Sequence, residues 1–194
     1  MNTIKIWNDS PSDKQIQEIV SFLRDGKIAI IPTDTMYAIV CNALDPKAVE
    51  KICRIKGINP EKTNLSILCE DISMASEYSR IDNTGFRLLK ERTPGPLTVL
   101  LKSASKLPKV FKGRKTIGVR IPANNVARKI TGELGNPLLT TTIQYPSDDY
   151  AINPELIAEY YENKIDLMVD GGDGEIRHST IIDCSNGEPE LIRE

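Results

Sequence analysis

The sequence predicts a single α/β domain, and three observations support that prediction. Short apolar runs alternate with amphipathic helical patterns along the chain, which is typical of α/β proteins. The 194 residues correspond to about one domain, since domains commonly have roughly 100–200 residues. No internal repeat, linker or low-complexity segment divides the chain. We therefore expect residues 1–194 to form one domain.

The predicted helices are recognised by their caps and apolar stripes. Ser10-Pro11 is expected to open the first helix as a cap and first-turn proline, and Gly26 to end it. Asp45-Pro46 and Gly57 bound the second helix in the same way. Further helices are predicted over residues 71–79, 83–92, 123–134 and 154–161.

The predicted strands are short apolar runs between turn residues. Pro32 stops the run at 27–31, and Pro94-Gly95-Pro96 forces a turn between a helix and the strand after it. The full set of predicted strands is 3–7, 27–31, 65–69, 97–102, 116–121, 138–142, 165–170, 180–184 and 190–193.

Composition excludes several classes of protein. A hydrophobic fraction of 40% and a charged fraction of 27% are typical of globular chains. No run approaches the roughly 18–20 apolar residues of a membrane-spanning helix, and the start does not resemble a signal peptide, so we expect a cytoplasmic protein without a membrane partner. The four cysteines form no C-x-x-C pair and are expected to be reduced and mostly buried. The single histidine, His178, excludes an H-E-x-x-H zinc site, and we assign no metal ligand.

The net charge of the chain is −2, but its basic and acidic residues are concentrated in different segments. Residues 92–132 hold ten basic residues and no acid, whereas residues 133–194 hold fourteen acids against three bases. Clustered in space, the basic segment would attract the phosphates of a nucleotide or of RNA. Alternatively, its lysines solvate a loop and pair with acids elsewhere. The ten residues are Arg92, Lys102, Lys106, Lys109, Lys112, Arg114, Lys115, Arg120, Arg128 and Lys129.

Polar side chains follow the predicted strand that Pro32 ends. Thr33, Asp34, Thr35 and Tyr37 supply hydroxyls, a carboxylate and a phenol there. In open α/β sheets ligands bind at the carboxyl ends of strands, which favours a small-molecule site. A Thr/Asp turn with a buried tyrosine fits the same residues.

Cations gather at the end of the second predicted helix, and one lies within a later strand. The helix-end group either neutralises a polyphosphate or compensates the helix macrodipole. Arg120 alternates with apolar neighbours, shares a strand face with Gly118, and needs either an acid or a phosphate as partner. The helix-end group is Lys51, Arg54, Lys56 and Lys62.

Two later segments carry hydroxyls and glycines. Thr140, Thr141 and Thr142 end a predicted strand, where they either bind ligand oxygens or reflect β-propensity. The run Asp170-Gly171-Gly172-Asp173-Gly174 allows close backbone approach to a ligand, and Ser179-Thr180 begins the next strand. This run is not a Walker loop, and His178 within the segment fits a surface residue better than a base.

Taken in order, these blocks resemble the YrdC/YciO family, which includes L-threonylcarbamoyladenylate synthases. The chain is more similar to the YciO-like branch than to the main synthase group. The matching blocks are Pro32-Thr33-Asp34-Thr35-x-Tyr37, the helix end at Lys56, Pro94-Gly95-Pro96-Leu97-Thr98, Val119-Arg120-Ile121-Pro122, and Gly171-Gly172 followed by Ser179-Thr180-Ile181-Ile182-Asp183.

The resemblance implies an open, twisted sheet with flanking helices and a basic concave face. It also implies a nucleotidyl-transfer reaction that joins threonine, bicarbonate and ATP into threonylcarbamoyl-AMP, for tRNA modification, with release of pyrophosphate. Mg²⁺ would accompany ATP, held mainly by the phosphates. By position, Lys56 and Arg120 would be the catalytic cations and Thr33 and Tyr37 would line the threonine end. The residues implied for nucleotide binding are Lys56, Thr140, Thr142, Gln144, Ser179 and Thr180.

Two departures from the synthase pattern favour an alternative function. Synthases carry Lys-x-Arg where this chain has Lys56-Gly57-Ile58, and Ser-x-Asn where it has Thr142-Ile143-Gln144. Arg54 or Lys62 is a candidate to replace the missing arginine. The alternative is a protein of the same fold that binds tRNA or double-stranded RNA without efficient synthesis.

Overall fold

The computed structural model describes residues 1–60, 63, 65–108, 111 and 115–194. Lys62, Lys109, Lys112 and Arg114, which the sequence analysis considered as cations, lie outside the described residues. Within these ranges the helices are α1 (Asp13–Arg24), α2 (Pro46–Lys56), α3 (Ile72–Tyr78), α4 (Asn83–Arg92), α5 (Asn125–Leu134), α6 (Asp149–Ile152) and α7 (Pro154–Tyr161). The strands are β1 (Asn2–Lys5), β2 (Ala29–Ile31), β3 (Ala38–Asn42), β4 (Ser66–Leu68), β5 (Ser79–Arg80), β6 (Leu97–Ser103), β7 (Thr116–Arg120), β8 (Leu138–Thr142), β9 (Leu167–Asp170), β10 (Thr180–Asp183) and β11 (Glu190–Arg193).

The strands form one mixed sheet in the order β1-β9-β2-β3-β8-β4-β7-β6-β10-β11, and β5 pairs with β6. Strands β1 and β11 lie at opposite ends of this order, so the sheet stays open. Parallel pairs such as β4–β7 and β6–β10 alternate with antiparallel pairs such as β3–β8 and β6–β7. The predicted α/β class and open sheet are confirmed.

The two faces of the sheet are covered unequally. One face packs on α2, α3, α4 and α7 through a large core that includes Ile52, Ala75 and Leu89. The other face packs on α1 and α5 through a smaller core, which covers β1, β9, β2, and parts of β3, β4 and β8. This second core does not include residues of β6, β7 or β10. The part of this sheet face that the second core leaves uncovered forms the floor of a cleft.

Local sequence explains most helix boundaries, with one correction. The predicted cap at Ser10 is wrong, because Ser12 caps α1 in a reciprocal capping box with Gln15. Asp45 caps α2 as predicted, and Gly57 ends it in the left-handed region with φ of 63°. Gly57 thereby fixes where Lys56 leaves the helix.

Three elements were not predicted. Strand β3 lies between β2 and β8 and is antiparallel to both. Four of its five residues are buried, so it lacks the alternation that marks a half-exposed strand. The two-residue β5 and the four-residue α6 are too short to leave a pattern in the sequence.

No helix in the described ranges is long and apolar enough to cross a bilayer.

Two cations of the basic segment 92–132 are neutralised within the fold. Arg120 pairs with Asp34, and Lys106 pairs with Glu77 on an exposed surface. Arg128 donates to the backbone oxygen of Glu70. Some of the described cations of the segment therefore have structural partners within the fold. The number of cations in the segment is larger than the number whose charge is available to a ligand.

Candidate functional site

The uncovered part of the second face forms a cleft of about 200 Å³. Hydroxyl groups dominate its lining, and two guanidinium groups lie among them. The hydroxyl-bearing residues are Ser66, Thr98, Thr140, Thr142 and Ser179, and the guanidinium groups belong to Arg120 and Arg193. Thr141 also borders the cleft, but it pairs with Ile39, which belongs to the core on the opposite face. Such a surface suits a polyanionic, hydroxyl-rich ligand better than an apolar one.

Strand register explains why these residues meet. Ser66 lies opposite Thr140 on one side and Gly118 on the other. Thr98 lies opposite Arg120 and Ile181. Since directly paired residues point to the same face, the polar side chains of four strands, β4, β6, β7 and β8, converge, although they are far apart in sequence.

Gly118 has no side chain, so the floor of the cleft lies close to the backbone at this position. A Cβ atom at this position would lie 2.3 Å from Ser66 Oγ, 3.1 Å from Ser66 Cβ and 3.2 Å from Thr98 Cγ2. These distances are shorter than van der Waals contact, so any side chain at position 118 displaces both neighbours. Gly118 is thus required by close approach across the sheet.

We expect Gly118→Ala to lower the free energy of unfolding by roughly 1–3 kcal/mol, because the added methyl group would overlap Ser66 and press against Thr98. Chemical denaturation measures this change. The double variant Gly118→Ala with Ser66→Ala removes the nearest atom and should recover part of the loss. A stability of Gly118→Ala equal to that of the wild type would contradict this account of the floor.

Arg120 is held by acidic and hydroxyl partners. Its Nη2 donates to Asp34 Oδ1 at 2.8 Å and to Thr35 Oγ1 at 3.1 Å, and the residue is 8% exposed. Burial lowers the pKa of the guanidinium, and the charge of Asp34 opposes that effect. Of the two partners that the sequence left open, the structure provides the acid. Arg120 Nε is buried and makes no hydrogen bond among the described residues.

Ser179 and Thr98 form the wall beside Arg193. Their hydroxyl oxygens lie 2.8 Å apart and both residues are buried. Ser179 is thus placed in the cleft, as predicted for a ligand-binding residue, and its hydroxyl orientation is set by the Thr98 hydroxyl beside it.

Lys56 lies at the rim of the cleft. Its ammonium group donates to the backbone oxygen of Thr142 at 2.5 Å, and Thr142 lines the cleft. Partial burial lowers the pKa of Lys56. Arg120 itself lines the cleft, whereas Lys56 reaches it only through this contact with Thr142 and is not among the lining residues. The carbonyl partner of Lys56 is neutral, so the ammonium charge remains available to an anion.

A second hollow of about 150 Å³ adjoins the segment that carries Thr33. Thr33 Oγ1 donates to the Met36 backbone oxygen at 2.7 Å and accepts from the Thr35 backbone nitrogen at 3.0 Å. Thr35 lines this hollow and also contacts Arg120, so the hollow and the cleft share one turn. The predicted threonine end thus lies next to the predicted nucleotide site.

Tyr37 holds the glycine-rich loop instead of offering its hydroxyl to a ligand. The hydroxyl donates to the Gly172 backbone oxygen at 2.6 Å and accepts from the Gly171 backbone nitrogen at 3.0 Å. A Cβ atom on Gly174 would lie 2.9 Å from the tyrosine ring, so the loop packs closely against it. Burial raises the pKa of Tyr37 far above its usual value. The ring borders the hollow, but its polar atom is fully engaged.

We expect Tyr37→Phe to destabilise the protein by about 1–3 kcal/mol, because it removes two hydrogen bonds, to the Gly172 backbone oxygen and from the Gly171 backbone nitrogen. Thermal denaturation measures the loss, and hydrogen exchange should show faster exchange within residues 170–175. Tyr150→Phe is the matched control, since that hydroxyl lies 3.4 Å from Glu159 at an exposed position. Equal stability of the two variants would contradict the role assigned to Tyr37.

Besides Lys56, two residues predicted to bind nucleotide do not line the cleft. Thr180 pairs with Leu97, whose side chain belongs to the core on the opposite face. Because side chains alternate along a strand, Thr180 points away from Ser179 and Ile181. The Gln144 side chain is exposed and is not part of the cleft lining, while its backbone is bound by the Tyr161 hydroxyl. Thr140 and Thr142 do line the cleft.

The position of the missing synthase arginine is occupied by a core residue. Ile58 is partly buried and packs against the large core. Arg54, one of the two suggested replacements, is exposed at the end of α2, and the other, Lys62, lies outside the described residues. His178 is exposed, as predicted, and the four cysteines are buried and outside any disulfide.

The sequence does not predict Asp34 as the partner of Arg120, or Ser66 and Arg193 as lining residues. Asp34 belongs to the polar segment 33–37, but its partner is 86 residues away. Ser66 and Arg193 begin and end short strands whose pairing is not visible locally. In the part of the chain that the structure describes, no group of three or more His, Cys, Asp or Glu residues is arranged to hold a metal ion.

Comparison with known proteins identifies the family. A model of the Sua5_yciO_yrdC family, described as "Telomere recombination", matches residues 21–194. The chain belongs to this family. It is 36% identical over 192 residues to YciO of Escherichia coli strain K12, described as uncharacterized, with 97% of this chain and 93% of YciO covered. The crystal structure of E. coli YciO matches with a TM-score of 0.91 and covers 100% of this chain and 96% of that one.

Threonylcarbamoyl-AMP synthases are also among the relatives. The synthase of Pyrococcus abyssi is 31% identical over 182 residues, which are 92% of this chain and 53% of that protein. The crystal structure of P. abyssi Sua5 complexed with L-threonine matches at 29% identity with a TM-score of 0.89, covering 100% of this chain and 57% of that one. The chain thus spans little more than half the length of this Sua5/YciO/YrdC relative. The resemblance stated from the sequence is confirmed.

Proposed function

We propose that the protein makes threonylcarbamoyl-AMP from L-threonine, bicarbonate and ATP and releases pyrophosphate. One observation carries the proposal: a hydroxyl-lined cleft that contains Arg120, and whose Thr142 is contacted by Lys56, adjoins a hollow at Thr33. Such a pair of neighbouring sites suits two substrates that must meet. The relatives named as threonylcarbamoyl-AMP synthases, and the Sua5 structure with L-threonine, support the same reaction.

The proposed chemistry needs no nucleophilic side chain. The threonine amine and bicarbonate form an N-carboxylate with loss of water. An oxygen of that carboxylate attacks the α-phosphorus of ATP, and the bond from this phosphorus to the bridging oxygen breaks as pyrophosphate departs. Charge develops on phosphoryl oxygens throughout, so the protein contributes positioned substrates and fixed donors.

The residues of the cleft match these needs in position. Lys56 would exchange the Thr142 carbonyl for a phosphate oxygen, and the hydroxyls of Thr140, Thr142 and Ser179 would donate to the nucleotide. Arg120, balanced by Asp34, would position the anionic substrate from the cleft lining. Tyr37 acts on the glycine loop beside Thr33. Mg²⁺ would enter with ATP as part of the substrate, bound by its phosphates.

RNA binding is the second candidate function, and a basic pair on the same sheet favours it. Arg80 and Lys102 lie directly opposite each other in the β5–β6 ladder, and both are exposed. Neither is in an ion pair among the described residues. Like charges opposed across strands repel each other, and a phosphate backbone of tRNA or double-stranded RNA would relieve that repulsion.

Product analysis distinguishes the two candidates. Purified protein is incubated with L-threonine, bicarbonate and Mg-ATP, and pyrophosphate and threonylcarbamoyl-AMP are quantified, the latter by mass spectrometry. The synthase proposal expects both products in equal amounts and neither when threonine or bicarbonate is omitted. Absence of both products, together with tRNA binding that weakens steeply with salt, would overturn the synthase proposal in favour of RNA binding.

A further inference from the structure

A hollow of about 300 Å³, called the Trp7 hollow below, lies apart from the hydroxyl-lined cleft. Three segments line it: the end of β1 with the turn that follows, the start of α7, and the loop after β9. These segments are residues 5–8, 153–155 and 170–173, and the lining of the cleft includes none of these described residues. Residues 171–173 also line the hollow at Thr33, so the two hollows share one loop.

Trp7 is the only tryptophan of the chain, and it is 69% exposed although its neighbour Ile6 is buried. The ammonium group of Lys5 lies 4.5 Å from the centroid of the indole ring, which is a cation–π distance. This contact restrains the ring while leaving most of it in solvent. Exposed tryptophans of this kind are enriched among the residues that dominate protein–protein binding energies.

The turn after Trp7 fixes the position of the indole. Asn8 and Asp9 have φ values of 51° and 50°, in the left-handed region that non-glycine residues adopt uncommonly. The Asp9 carboxylate accepts from the backbone nitrogens of Asn125 and Val126 at the start of α5, at 2.7 and 2.9 Å. Such conformations persist where surrounding contacts impose them, and they are common at functional sites. The fold therefore holds Trp7 in solvent through a strained turn that is tied to α5.

The charge of the Trp7 hollow is negative. The Lys5 ammonium lies 3.8 Å from an Asp170 carboxylate oxygen, so these two charges oppose each other. Glu155 and Asp173 also line the hollow, both are exposed, and neither forms an ion pair among the described residues. Burial, and after it the charges of Asp170 and Asp173, raise the pKa of Tyr37 on the neighbouring strand. Negative charge beside an exposed indole complements a planar cation, and guanidinium is the side chain of that kind.

We propose that the Trp7 hollow docks an arginine-bearing segment of a partner protein. The guanidinium would stack on Trp7, and the carboxylates of Glu155 and Asp173 would accept its hydrogen bonds. A nucleic acid does not suit this hollow, since the same carboxylates would repel its phosphates. Docking here does not depend on the synthase reaction. It would place the partner against the loop 171–173, which also borders the hollow at Thr33.

Trp7 fluorescence reports occupancy of the hollow directly, because no other tryptophan contributes to the emission. The probe is a short blocked peptide of alternating glycine and arginine, titrated into the protein at low ionic strength. The matched peptide carries citrulline, the uncharged urea analogue, in place of each arginine. The arginine peptide should change Trp7 emission saturably and lose affinity as salt is added, whereas the citrulline peptide should bind several-fold more weakly.

Two double variants separate the hollow from the net charge of the protein. Glu155→Gln with Asp173→Asn should weaken binding of the arginine peptide about two- to thirtyfold, the loss of two exposed ion pairs. Glu162→Gln with Glu188→Gln removes the same charge at exposed positions outside the hollow and should bind as the wild type does. Trp7→Ala, followed by calorimetry, should lose about two- to fivefold in affinity through the missing cation–π contact.

Three results would overturn the docking site while the synthase proposal stands. They are equal affinities for the arginine and citrulline peptides, wild-type affinity in the Glu155 and Asp173 double variant, and no saturable change of Trp7 emission at millimolar peptide. Light scattering tests the assigned occupant. Self-association of the wild type that is lost in the Glu155 and Asp173 double variant would show that a second copy of this chain fills the hollow, and would overturn the assignment to a partner protein.

Discussion

Arg120→Ala is expected to lower the free energy of unfolding by about 3–5 kcal/mol, because it leaves the Asp34 carboxylate buried without its cation. The Asp34 side chain is only 10% exposed, and its second oxygen is tied to the Ala123 backbone nitrogen, so it cannot turn to solvent without loss. Chemical denaturation with a linear extrapolation measures the change.

Two further variants separate loss of the pair from loss of a side chain. Arg80→Ala removes an exposed arginine and should change stability by no more than about 0.5 kcal/mol. Asp34→Asn combined with Arg120→Gln removes both charges and should be more stable than Arg120→Ala. An Arg120→Ala protein as stable as Arg80→Ala would refute the buried pair. The expected instability also means that turnover of Arg120→Ala has to be measured below its unfolding transition.

Lys56→Ala is expected to reduce kcat/KM for ATP by about ten- to a hundredfold, which corresponds to one lost charge-assisted hydrogen bond to phosphate. Stability should change little, because the lost partner of Lys56 is the Thr142 carbonyl at the rim of the cleft, where water replaces the ammonium. Steady-state measurement of pyrophosphate release gives the ratio.

Lys47→Ala is the matched control for Lys56, since Lys47 is exposed in the first turn of the same helix. Its kcat/KM should equal that of the wild type. Lys56→Arg keeps a cation at the rim and should retain more activity than Lys56→Ala. If Lys56→Ala retained wild-type kcat/KM, Lys56 would have no part in ATP binding and the placement of the phosphates beside α2 would be wrong.

The sequence predicts local features of this fold well because their causes are local. Asp45 before Pro46 and Gly57 after the last turn specify α2, and the position of Lys56 follows from them. Alternation within β7 is enough to place Arg120 and Gly118 on one face, and the structure confirms that placement. Each of these features depends on residues within about one turn or one strand.

Features that depend on strand pairing could not be predicted in the same way. The register of β10 against β6 decides that Ser179 lines the cleft and Thr180 does not, and the two strands lie 77 or more positions apart. The choice of Asp34 over a phosphate as partner of Arg120 depends on β7 meeting the turn after β2. Arg193 reaches the site only because β11 pairs with β10. Such non-local pairing leaves no periodic signal in either segment.

A crystal structure with L-threonine and a non-hydrolysable ATP analogue tests the central claim most directly. The expected result is a nucleotide on the open face of β4, β7 and β6, with Lys56 Nζ released from the Thr142 carbonyl and bound to a phosphate oxygen, and threonine beside Thr33. A nucleotide bound away from this face, or a nucleotide in the cleft with Lys56 still on the carbonyl, would contradict the account.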